Sequence, residues 1–130
     1  MRSIRAIRLD VDGTLTDLEL PGGEGMTAAL RPVVDGWVEV AHYARRDGTH
    51  RLSVAVNEMG VFLGLAPNLY ATSLINGVRL ERLGCSLHGP VVLLGALDDA
   101  GRHTDVPEPL RAGLPKIIDA LKSRYAHPAS

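Results

Sequence analysis

The chain has 130 residues, 45% of them apolar and 22% charged, with a formal net charge of −1. That length suits one domain with one core and is too short for two comfortable ones. Near-neutral charge gives no global pull toward nucleic acid or an anionic membrane, and a nucleic-acid mimic would have to be strongly acidic.

Ile4 to Val11 is rich in β-branched residues and reads as a strand. Asp12-Gly13 follows, then Thr14 to Leu20 with polar and apolar residues alternating. An Asp-Gly pair between two such runs predicts a hairpin with a type I′ turn. Pro21-Gly22-Gly23 ends it. Met26, Ala29, Leu30 and Val33 then recur at helical spacing, with Pro32 expected to close the helix. Trp37 to Tyr43 and His50 to Val56 flank Arg45-Arg46-Asp47-Gly48 and predict a second hairpin. Asn57 to Gly60 reads as a turn, and Val61 to Leu63 as a short apolar return.

Asn68 to Leu83 reads as a helix, with a possible break at Asn76-Gly77. Gly89 to Ala96 is a nearly continuous apolar run, the pattern of a central strand buried on both faces. Asp98 to Gly101 turns the chain. Pro107 to Tyr125 carries a last apolar stripe, which Pro115 could kink. The expected order is ββαββαβα: a small single α+β domain over residues 1–125. Its sheet is mostly antiparallel, with about five strands built from two hairpins and two or three packing helices. Residues 126–130 are expected to be a flexible tail.

Few residues suggest chemistry. Cys85 cannot form an internal disulfide and reads as small and half-buried. The five histidines are scattered without metal-ligand spacing, so no metal or cofactor is expected. No apolar signal-like stretch follows Met1-Arg2, and no run approaches the ~18 residues of a membrane span. The expectation is a cytoplasmic protein without a membrane segment.

Leu9 to Asp17 resembles the signature of the haloacid-dehalogenase-like phosphatases. That resemblance would make Asp10 the nucleophile and Asp12 the general acid/base, both holding Mg²⁺, with Asp98-Asp99 as the late acidic pair. Against it, Lys116 and Lys122 both follow that pair, so Arg79 or Arg82 would have to stand in. The hairpins also leave no room for a parallel sheet.

A second resemblance covers more of the chain. Val34-Asp35-Gly36-Trp37-Val38-Glu39, Val56 to Gly60, Gly64 to Asn68 with Ala71, and Gly89 to Val92 with Gly95 resemble, in order and spacing, the family designated domain of unknown function 3846. Its members are small proteins of phages, plasmids and mobile elements. Asp35 stands where a glycine is usual. The resemblance implies an α+β domain with an accessory role in a mobile element and supplies no catalytic residues.

The leading expectation is therefore a non-enzymatic binding protein acting in a bacterial host cytoplasm, with a Mg-dependent phosphatase as the alternative. The binding site is expected around the Asn57–Asn68 reversal, using Asn57, Glu58 and Asn68 with Trp37, Glu39 and Tyr70 as walls. Asn57 could instead close a turn and Asn68 cap a helix. The ligand is a host protein or a small molecule such as a nucleotide. The open edges of a two-hairpin sheet also leave room for a homo-oligomer.

Overall fold

The computed structural model describes residues 3–126. Two hairpins provide four strands: β1 (Ser3–Leu9) with β2 (Leu15–Pro21), and β3 (Val38–Tyr43) with β4 (Leu52–Asn57). A fifth, β5 (Val91–Leu94), lies between them and pairs antiparallel with both β1 and β4. The sheet order is β2-β1-β5-β4-β3. All four residues of β5 are buried, as their unbroken apolar run predicts for a central strand.

Helices cover both faces. α1 (Gly25–Val34) packs Met26, Leu30 and Val34 against Ile4, Ala6, Ala55, Val92 and Leu94. α2 (Leu69–Arg79) and α3 (Glu108–Ala126) cover the other face, where Leu74, Ile75, Leu114 and Ile118 meet Ile7, Leu9, Val54, Val91 and Leu93. The period-2 alternation of the strands sorts these residues between the two cores. The fold is α+β in the predicted order.

Several local expectations need correction. The turn after β1 is not type I′, because Asp12 does not take a positive φ. Gly13 alone does, at 88°. Its N–H donates to the Asp10 carbonyl at 2.9 Å, and the Asp10 N–H to the Thr14 carbonyl at 3.0 Å. This is a three-residue loop ending in a left-handed glycine. The same pair of bonds recurs at Arg45–Thr49 and Asp98–Arg102, with Gly48 and Gly101 in the glycine position.

Pro32 does not end α1, which continues to Val34 and stops at Asp35 in the left-handed conformation. Asn76-Gly77 does not break α2 either. The Asn76 Oδ1 accepts from the Leu83 N–H at 2.7 Å beyond the helix end. Ala126, expected in a flexible tail, closes α3, and the rest of that tail lies outside the described residues.

The largest difference is at Val61 to Leu63, which does not return along the sheet. Residues 58–64 form consecutive turns, with the Leu63 N–H on the Met59 carbonyl at 2.9 Å and the Leu65 N–H on the Gly60 carbonyl at 2.9 Å. Three apolar residues between Gly60 and Gly64 are too few to span the sheet. Their backbone bonds to itself and their side chains face outward.

Candidate functional site

The pairing registers bring four segments to one end of the sheet. Leu9 pairs with Val91, so the β1–β2 turn stands beside Gly89 at the start of β5. Val38 pairs with Asn57, so Trp37 stands beside the Asn57–Gly64 turns. Asn68 and α2 begin at the same end, since the Asn68 amide bonds the Leu9 and Gly89 carbonyls.

Both asparagines are internal braces. Asn68 is 0% exposed. Its Nδ2 donates to the Leu9 and Gly89 carbonyls, both at 2.9 Å, and its Oδ1 caps α2 by accepting from the Ala71 N–H at 3.0 Å. Asn57 is also buried. Its Nδ2 donates to the Val34 and Asp35 carbonyls at 3.1 Å, and its Oδ1 accepts from the Met59 N–H at 2.8 Å. Each amide has both its donor and its acceptor side engaged by the fold.

What faces outward is the turn they hold. Phe62 is 86% exposed, Val61 70%, Leu63 62% and Trp37 62%, and Met59, Leu69 and Val11 are also exposed. Among the described residues, seven of the eight exposed large apolar side chains lie at or beside this one end; Leu80 is the other. Scattered surface leucines are ordinary; their grouping at one end makes this end the candidate site.

Trp37 carries the Arg31 guanidinium 3.8 Å from its ring centroid. The Glu58 N–H donates to the Trp37 carbonyl at 2.8 Å, which ties turn to strand. Of the other expected site residues, Glu58 and Glu39 are exposed. Tyr70 is half-buried and packs edge-on against Tyr125, with ring centroids 5.4 Å apart. Val61, Phe62 and Leu63, expected as a short apolar return, instead sit in a turn, and the flanking glycines were the available signal.

The acidic motif does not converge. Asp10 is paired with Arg8 at 2.9 Å. Asp12 is exposed, and the hydrogen bonds from Thr14 hold its carboxyl below the usual range. β5 runs away from this end, so Asp98 and Asp99 follow it at the opposite one. Among the described residues, no three His, Cys, Asp or Glu side chains cluster as a metal site. Cys85, read as half-buried, is exposed.

At that opposite end lies a cleft of about 600 Å³, bordered by Gly22–Gly25, Arg102 and His103. Beside it the His42 and His103 rings stack 6.2 Å apart, and His42 Nδ1 meets Ser53 Oγ at 2.7 Å. Sequence reading missed this pair because distant segments supply it. Among the described residues, the buried Nδ1 of His103 has no hydrogen-bond partner. Burial, and then the neighbouring His42, lower the His103 pKa below its ordinary 6.5.

A depressed histidine pKa favours the neutral form in the folded state. Its contribution to stability is therefore complete above pH 6.5 and falls as pH drops from 6.5 through the folded value. Urea titrations across pH 5–7 should show a falling midpoint toward acid, and His103→Gln should flatten that part of the slope. An unchanged slope in the variant would rule His103 out as its source.

Comparison with protein-family models, with curated proteins and with solved structures returns no match to the chain. Among the described residues, no helix is long and apolar enough to cross a membrane.

Proposed function

We propose that the chain is a non-enzymatic binding protein, an accessory of a phage or other mobile element acting in the bacterial cytoplasm. In this reading it engages a host protein through the sheet end that carries Met59–Leu63 and Trp37. The observation behind the binding site is the outward cluster of Val61, Phe62 and Leu63 on a self-bonded turn. A turn whose backbone is already ordered loses little entropy on docking. The surface projects rather than encloses, which suits a protein partner better than a small molecule. The mobile-element role rests on the ordered resemblance from Val34 to Gly95 alone. The phosphatase alternative lacks such support, since its acidic pairs would stand at opposite ends of the sheet.

The test is a photo-crosslinking residue at position 62, with one at the comparably exposed position 80 as control. In host cytoplasm a discrete product is expected from position 62 and not from 80. Indistinguishable products from both would overturn the reading. A small molecule retained in native mass spectra would instead move the site to the cleft by Arg102 and His103.

A further inference from the structure

We infer that, with no other protein present, the apolar sheet end is covered by a second copy of this chain in a two-fold dimer. The inference rests on the reading of that end as an interaction surface, and it names the first occupant.

Two observations carry it. The first is area. From their fractional exposures, the seven side chains present on the order of 500–600 Å² of apolar surface. A standard interface takes about 800 Å² from each partner, roughly two-thirds of it apolar in homodimers. The patch is thus the size that one copy contributes to a stable pair.

The second is charge layout. Trp37 and the Arg31 above it flank the patch on the β3 side, and Val11 and the exposed Asp12 flank it on the β1 side, where Lys122 of α3 is the neighbouring cation within the chain. No salt bridge engages Arg31 among the described residues. In the sheet order β1 and β3 are separated by β5 and β4, so the flanks stand about three strand spacings apart, ~14 Å. A two-fold axis through the central turn exchanges them, bringing Arg31 of each copy toward Asp12 of the other. The patch is self-complementary in the sense a two-fold interface requires. The alternative route, pairing through edge strand β2, is opposed by its exposed Glu19.

Sedimentation of the purified chain across micromolar concentrations tests this. A mass rising to twice the monomer is expected. Phe62→Asp should weaken association at least about tenfold, as for a central aromatic anchor. Arg31→Asp and Asp12→Arg should each weaken it, and the double exchange should restore most of the loss. A wild type that stays monomeric, or a dimer indifferent to Phe62→Asp, would overturn the inference. If that monomer still crosslinks a different protein from position 62, the proposed function survives without the dimer. If position 62 crosslinks only a second copy in host cytoplasm, the dimer stands and the host partner at this end does not.

Discussion

Asn68→Ala should lower stability by about 3–4 kcal/mol, a large share of the 5–15 kcal/mol typical of a domain. The substitution removes the partner of two buried carbonyls, Leu9 and Gly89, and of the Ala71 N–H at the start of α2. Loss of the cap alone costs about 1 kcal/mol. The rest comes from carbonyls that no solvent reaches. Asn68→Asp separates the two parts. Aspartate caps a helix as well as asparagine does, but its second oxygen would face two carbonyls where an amide now donates. It should be nearly as damaging as alanine in urea denaturation at pH 7. A variant close to wild type would show that Asn68 is only a cap.

Gly95→Ala should cost about 3 kcal/mol, at or above the upper range for overpacking. An added Cβ would overlap the Asp105 carbonyl and the Thr104 hydroxyl. Those atoms belong to a returning strap held by the Gly95 N–H on the Thr104 carbonyl at 3.0 Å and the Val106 N–H on the Arg5 carbonyl at 2.9 Å. Backbone on the far side cannot rotate away as a flexible side chain could. Gly77→Ala is the control, since its Cβ would project into open space in mid-helix. It should stabilise by about 0.5–1 kcal/mol. Thermal melts of the two variants should therefore move in opposite directions. A Gly95→Ala melt within 1 °C of wild type would mean that the strap shifts freely.

The element order was legible because its signals are local. The three Asp- or Arg-headed turns each end in a glycine, the helices repeat at 3.6 residues, and β5 is apolar throughout. The central place of β5 was legible, but not that β1 and β4 are the strands it joins, since nothing in Val91–Leu94 selects among the hairpin strands. The Asn57–Asn68 reversal was legible as a turn region, but its residues divide between different roles. Asn57 and Asn68 read both as ligand contacts and as turn and cap residues, and the turn and cap bonds are the ones present. Burial of both converts them into braces. Val61–Leu63 read as an apolar return, and the self-bonded turn with its exposed side chains shows that they project. His42 and His103 meet through tertiary packing alone, so no spacing rule could pair them.

The placement of β5 also orders events in time. Each hairpin can close as soon as its own residues are available, because its partners are neighbours in the chain. The two hairpins share no ladder, and every strand pairing that joins them runs through Val91–Leu94. During synthesis, β1 and β4 thus wait with unsatisfied edges until a four-residue segment from the far half of the chain arrives. The nascent protein is two half-sheets in search of a keystone, and its period of greatest vulnerability to aggregation ends when that segment leaves the ribosome.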